Sequence, residues 1–214
     1  MKLYNYFRSG TSHRLRIALA LKGLHPDYVP VDLLHGEQAG AAYRALNPQG
    51  LVPALEVDGQ VLTQSPAIIE WLDETYPEPP LLPRDPLQRA RVRALAAVVG
   101  CDMHPLNNRR VLEYLRGEFG CDGAAVDAWC GTWMRAGFEA LDALLAADPS
   151  RGRFSFGDAP SVADVYLVPQ LSTARRFHVD LQRWPRLLDI EVACLELQAF
   201  RDAAPAAQPD APKP

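Results

Sequence analysis

Apolar and polar positions change period along this chain, and the change divides it. Lys2 to Tyr6 is a short apolar run that predicts a strand. Ser12 then stands as an N-cap ahead of a helix through Lys22, with Leu15, Ala18, Leu19 and Leu21 on its apolar positions and Gly23 just past its end. Tyr28 to Leu33 predicts a second strand, Glu37 to Leu46 a helix, and Asn47-Pro48-Gln49-Gly50 a turn. Leu51 to Val57 and Gln60 to Thr63 flank Asp58-Gly59, a strong hairpin signal. Ser65-Pro66 opens a periodic helix carrying Ile68, Ile69, Trp71, Leu72 and Tyr76. The order βαβα then ββα predicts a small α/β domain over residues 1–76.

Residues 77–86 hold five prolines in ten positions, which excludes a helix or a central strand and predicts a semi-extended linker. Beyond it the period is helical throughout. Gln88 to Phe119 is one pattern interrupted at Pro105, and Ala124 to Ala147 is a second. Ser161-Val162-Ala163-Asp164 reads as a capping box opening a helix to Arg176, with Pro169 inside it. Trp184-Pro185 opens a last helix through Phe200. An all-α domain is therefore expected over 87–202, and an Ala/Pro-rich disordered tail over 203–214.

Composition narrows the picture. The 214 residues are 48% hydrophobic and 22% charged, enough to bury an ordinary core. A formal net charge of −4 argues against nucleic acid as the main partner. No run approaches the roughly eighteen apolar residues of a membrane span, and Met1-Lys2-Leu3-Tyr4-Asn5 has no secretory h-region. Cys101, Cys121, Cys130 and Cys194 form no C-x-x-C pair and no metal spacing, so buried free thiols in a cytoplasmic protein are expected, with no metal.

The candidate chemistry lies at the first strand-to-helix turn, Tyr6 to Arg14. A helix start exposes unpaired N–H groups and the positive end of the dipole, a seat for an anion or thiolate. This turn adds one cation, Arg8, and three hydroxyls, Ser9, Thr11 and Ser12. Arg14 and Arg16 further along read as surface or ion-paired helix residues.

Three segments resemble the zeta class of the glutathione transferase family. Arg8-Ser9-Gly10-Thr11-Ser12-His13-Arg14-Leu15-Arg16-Ile17-Ala18-Leu19 resembles the class's Ser-Ser-Cys stretch and its following helix. Asn47 to Leu55 resembles the family's N-P-x-x-x-V-P segment, and Gln64-Ser65-Pro66-Ala67-Ile68-Ile69-Glu70-Trp71-Leu72 its Q-S-x-A-I helix start. The likeness runs on to about residue 209. It implies a thioredoxin-like N-terminal α/β domain, an all-α C-terminal domain, glutathione as cofactor and a homodimer. The cysteine of the class motif is missing, since Ser9-Gly10-Thr11 stands in its place.

The activity the resemblance implies is cis–trans isomerisation of a maleyl-keto acid, maleylpyruvate first. Maleylacetoacetate, transfer to small halo acids, and a non-catalytic binding protein on the same fold are the alternatives. A thiolate lent by glutathione would break the conjugated π bond, and a positioned cation would hold the enolate charge. Ser9, Thr11 and Arg8 are then the catalytic candidates, with either hydroxyl facing the sulfur. Ser9, Gly10, Thr11, Val52 beside a cis Pro53, Gln64 and Ser65 are the glutathione contacts. His35 is a candidate for its glycyl carboxylate or a plain loop histidine. Asp102 and His104 either reach a partner subunit's glutathione or form the wet face of a kinked helix. Arg8, Asn108, Arg109, Arg110 and Arg176 are the candidates for a small dicarboxylate substrate, because Arg grips carboxylates at two points.

Overall fold

The computed structural model of the chain describes residues 1–213; Pro214, the end of the expected tail, lies outside them. Strands β1 (Lys2–Asn5), β2 (Asp27–Pro30), β3 (Ala54–Val57) and β4 (Gln60–Thr63) form one sheet in the order β2-β1-β3-β4. β1 is parallel to β2, so the connection between them has to be a crossover, and helix α1 (Gly10–Leu21) supplies it. β1–β3 and β3–β4 are antiparallel, with Leu3 opposite Leu55 and Leu55 opposite Leu62. The Asp58-Gly59 turn takes φ of 49° and 77°, the left-handed pair that a two-residue hairpin needs.

Three expectations shift here. β2 ends at Pro30, which has no N–H to continue a ladder, and not at Leu33. The helix expected over 37–46 breaks at Gly40, whose extended backbone (ψ 153°) separates a 3₁₀ turn, Glu37–Ala39, from α2 (Ala41–Leu46). Helix α3 (Ser65–Thr75) starts with Gln64 as its N-cap, and Ser65 is already helical.

The chain divides into two units, Met1–Leu81 together with the segment from Leu195 onward, and Leu82–Cys194. In the first, Lys22 Nζ is fully buried against Asp73 Oδ1 at 2.7 Å and the Pro79 carbonyl at 2.6 Å. The same carboxylate oxygen accepts from Leu81 N, which ties the proline stretch down. The expected disordered tail is ordered through the described residues. The last helix breaks at Leu197, where the backbone is extended, into α8 (Pro185–Leu195) and a short helix, Gln198–Ala203, which packs on α1. Asp210 then accepts from Phe7 N at 3.0 Å and from the Tyr28 hydroxyl. Composition pointed to disorder because the segment has little apolar area; polar anchors hold it instead.

The second unit begins with α4 (Pro86–Ala97), capped by Asp85, whose Oδ1 accepts from Gln88 N at 2.9 Å. The single helix expected over 88–119 is interrupted by a π turn, Val98–Met103, and a 3₁₀ turn, His104–Asn107, that carries Pro105. It resumes as α5 (Arg109–Phe119) and is followed by α6 (Gly123–Ala147), α7 (Val162–Arg176) and α8. The Asp164 carboxylate is fully buried and accepts from Ser161 N, Ser161 Oγ and Ser155 N at 2.7, 2.9 and 2.8 Å, the capping box the spacing predicts. Pro169 sits inside α7, which stays continuous. No helix among the described residues is long and apolar enough to cross a membrane.

The π turn approaches α6 at Gly137, where an added Cβ would meet the Met103 sulfur at 2.3 Å. Met103 is fully buried, so its side chain must shift within the core to admit that Cβ. Gly137→Ala is expected to destabilise the protein by about 1–3 kcal/mol, read as a lower midpoint in urea unfolding.

Candidate active site

The cap of α1 is Ser9, and Ser12 is buried inside the first turn. Moving the cap three residues forward starts the helix at Gly10, so the Gly10 and Thr11 N–H groups face out of its positive end. Ser9 Oγ accepts from Ser12 N at 3.2 Å and lies 3.0 Å from Thr11 Oγ1. Thr11 Oγ1 donates to the Val52 carbonyl at 2.9 Å. A hydroxyl has one proton. Thr11's is engaged on Val52, so Ser9 is the donor within the Ser9–Thr11 pair. The Ser9 proton is therefore the one that can turn to a thiolate without giving up the bond to Val52.

Val52 is held against this turn by the loop before it. Asn47 Nδ2 and the Tyr43 hydroxyl both donate to the Leu51 carbonyl, at 2.7 and 2.8 Å. Gly50 has φ 62°, and a Cβ there would lie 2.8 Å from the Gln38 carbonyl oxygen, so the loop closes only with glycine. The Val52–Pro53 bond is cis, as the resemblance implies.

Gln64 holds φ 69°, a region non-glycine residues enter at a cost of about 1–3 kcal/mol, and its amide nitrogen donates to Gln49 Oε1. Ser65 Oγ at the start of α3 is buried without a hydrogen-bond partner. An orphaned hydroxyl at a helix N-terminus fits a carboxylate such as the γ-glutamyl end of glutathione. His35 is exposed, with Nδ1 2.6 Å from Asp32 Oδ2; that hydrogen bond raises the His35 pKa above its ordinary value.

Arg8 is exposed at the turn. The other candidates belong to the second unit. Asn108 caps α5, its Oδ1 accepting from Arg110 N at 3.2 Å. Arg109 pairs with Glu113 one turn on, whereas the Arg110 guanidinium makes no ion pair among the described residues. Arg176 is exposed in the last turn of α7, its guanidinium carbon 5.7 Å from the Phe177 ring centroid. Asp102 is exposed and His104 half-buried, in the π and 3₁₀ turns.

Two cysteine expectations are corrected: Cys101 is exposed and Cys121 half-exposed, while only Cys130 and Cys194 are buried. Burial pushes the Cys130 thiol up to about 11 and the Cys194 thiol higher still. None of the four lies in the Tyr6–Arg14 turn.

Arg14 and Arg16 are also corrected, since both are buried. Arg16 Nη2 donates to the Phe7 carbonyl at 2.9 Å, Nη1 to Asn5 Oδ1 at 3.0 Å and the Tyr6 carbonyl at 3.4 Å, and Nε to the Ala203 carbonyl at 3.0 Å. Burial pushes its pKa down to about 10, which leaves it charged at neutral pH. Its helical spacing from Ser9 carried no sign of this, because three of its four acceptors are backbone carbonyls, one of them almost the whole chain away.

A mixed four-stranded sheet, a hydroxyl-lined helix start and an orphaned serine at a second helix start define a glutathione-binding class of protein. The glutathione S-transferase N-terminal domain family matches residues 8–75 and the C-terminal domain family residues 123–205. The chain belongs to the glutathione S-transferase family, in its zeta class. Within it, the chain is 65% identical to a maleylpyruvate isomerase of Ralstonia sp. over 98% of this chain and 99% of the relative. It is 54% identical to a maleylacetoacetate isomerase of Pseudomonas aeruginosa over 99% of each. A holo structure of a maleylpyruvate isomerase, a bacterial zeta-class enzyme, superposes with a TM-score of 0.98 at 65% identity, covering 99% of this chain and 100% of that one. A maleylacetoacetate isomerase of Methylobacterium extorquens AM1, solved with malonate and GSH, gives 0.96 at 40% identity with full coverage of both.

Ser65→Ala removes a hydroxyl that bonds nothing within the chain, so thermal stability is expected to stay near wild type. The KM for glutathione is expected to rise about tenfold or more, the size of a hydrogen bond to a charged group; steady-state kinetics beside a melting curve separates the two. If His35 meets the glycyl carboxylate, its charge is present below its raised pKa and lost above it. Glutathione KM is then expected to climb as pH passes upward through that value, and His35→Gln to flatten the profile.

Proposed function

We propose that this protein is a glutathione-dependent cis–trans isomerase that converts maleylpyruvate to fumarylpyruvate. The observation that carries the reading is the Ser9–Thr11–Val52 hydroxyl chain at the start of α1, with the orphaned Ser65 hydroxyl on the same unit. The 65% identity to a maleylpyruvate isomerase, against 54% to a maleylacetoacetate isomerase, supports maleylpyruvate as the acid.

Glutathione, when bound, supplies the thiolate that lifts the double-bond barrier to rotation and is regenerated. The chain's own residues prepare that chemistry. Ser9 directs its proton to the sulfur, and the Gly10 and Thr11 N–H groups with the α1 dipole favour the ionised form. Thr11 keeps its bond to Val52 and so holds the turn against the loop. Val52 offers backbone to the cysteinyl residue, Gln64 and Ser65 hold the γ-glutamyl end, and His35 the glycyl end. Arg8 neutralises the charge that gathers on the substrate's carbonyl oxygen.

Arg110 and Arg176 take the substrate carboxylates. Asn108 and Arg109 lie beside Arg110 in sequence, but a helix cap and the Glu113 pair occupy their side chains, so their roles are secondary. We also propose that the protein works as a cytoplasmic homodimer in the breakdown of aromatic compounds. Asp102 and His104 on the π and 3₁₀ turns would then reach glutathione on the partner subunit.

Mixing the protein with maleylpyruvate should give loss of the enol absorbance only when glutathione is present; no glutathione-dependent change would reject the isomerase. Arg110→Ala and Arg176→Ala are each expected to raise the maleylpyruvate KM by about tenfold or more with glutathione KM unchanged, and Arg109→Ala to have a smaller effect.

A further inference from the structure

We propose that the C-terminal segment, through Asp210, is a positioning element of the catalytic turn. Both backbone polar groups of Phe7, immediately before Arg8 and Ser9, are engaged. Its N–H donates to Asp210 Oδ2 at 3.0 Å, and its C=O accepts from Arg16 Nη2 at 2.9 Å. The second Asp210 oxygen accepts from the hydroxyl of Tyr28, which β2 fixes opposite Leu3 in the sheet. Arg16 in turn holds the carbonyl of Ala203, the last residue of the short helix 198–203, through Nε at 3.0 Å. That carbonyl is one of the helix-end acceptors left without an internal partner.

The segment is therefore anchored at two points, Ala203 and Asp210, and both anchors bear on the residues that lead into Ser9. The intervening residues, Ala204 to Pro209, are Ala- and Pro-rich and offer little apolar area. They are half-buried or exposed, and Gln208 Nε2 donates to the carbonyls of Asp202 and Ala204 at 2.7 and 2.9 Å. Loss of the Asp210 carboxylate frees the Phe7 N–H, and the Tyr6–Phe7 peptide plane, whose carbonyl accepts from Ser9 N at 3.1 Å, can then rotate. Rotation displaces the Arg8 side chain and the Ser9 hydroxyl together. Asp210 touches no reacting atom; it acts through the Phe7 peptide.

The activity part of the test rests on the isomerase reading; the glutathione-binding part does not. Asp210→Ala, Asp210→Asn and Tyr28→Phe are made in the full chain. Glutathione affinity is measured by calorimetry, the pKa of the bound thiol by thiolate absorbance against pH, and kcat and KM with maleylpyruvate. Asp210→Ala is expected to weaken glutathione binding, raise the bound thiol's pKa and lower kcat about ten- to a hundredfold, the scale of a misplaced catalytic group.

Asp210→Asn keeps an oxygen for the Phe7 N–H and is expected to restore most of each quantity. Tyr28→Phe removes one of the two Asp210 bonds and should shift the same quantities less, in the same direction. If Asp210→Ala fails to fold, the other two variants decide. Wild-type affinity, thiol pKa and kcat in Asp210→Ala, or in Tyr28→Phe where Asp210→Ala does not fold, would overturn the proposal. So would an Asp210→Asn protein as impaired as Asp210→Ala, because the charge and not the Phe7 bond would then be responsible. Shifted binding and thiol pKa in a protein without isomerase activity would uphold the positioning role and reject the isomerase.

Discussion

Arg16 is a cation taken out of water on the inner face of α1, and the N-terminal unit is arranged to satisfy it. Its guanidinium meets the carbonyls of Tyr6, Phe7 and Ala203 and the side chain of Asn5. A buried charge without such partners is strongly unfavourable, so the four acceptors and the cation fix one another. The result is a strand-to-helix turn with little freedom, on which the Ser9 and Thr11 hydroxyls keep a defined order of donation. Asp210 completes the arrangement at the backbone N–H of Phe7.

The absence of a cysteine from that turn is informative once the rest is in place. Burial pushes Cys130 and Cys194 away from ionisation, and neither lies near the turn in sequence. In the function proposed above, the helix start and its hydroxyls face an anionic sulfur that the chain does not itself provide. A glutathione-dependent reaction answers this: the tripeptide brings the nucleophile, and the protein contributes orientation, proton control and cations. The orphaned Ser65 hydroxyl and the left-handed Gln64 belong to the same account, because each is unfavourable in the chain alone and is explained by a ligand.

Much of the candidate site was legible in the chain because it consists of local signals. Ser9 to Arg14, Asn47 to Pro53 and Gln64-Ser65 each combine a turn, a cap or a proline with a polar side chain, and such motifs act over a few residues. The hairpin at Asp58-Gly59 and the capping box at Ser161–Asp164 were readable for the same reason. Misplacements clustered where two local signals competed. Ser9 and Ser12 both suit a cap, and only the approach of Tyr6 to Ser12 decided that Ser9 holds the end of α1. Gly40 and Leu197 each split a run whose apolar period continues across the break.

The sequence by itself determined the division into an α/β and an all-helical part, the absence of a cysteine from the turn after β1, and the resemblance that implies glutathione. Period, proline content and the missing cysteine are properties of the chain, independent of what packs on it. Tertiary structure alone decided which hydroxyl is the available donor, that Arg16 is a buried clamp, and that the last residues are an ordered strap. Each of those depends on a partner distant in the chain, Val52 for Thr11, Ala203 for Arg16 and Asp210 for Phe7. A hydrogen bond's direction and a charge's burial exist only once the chain has brought those partners together.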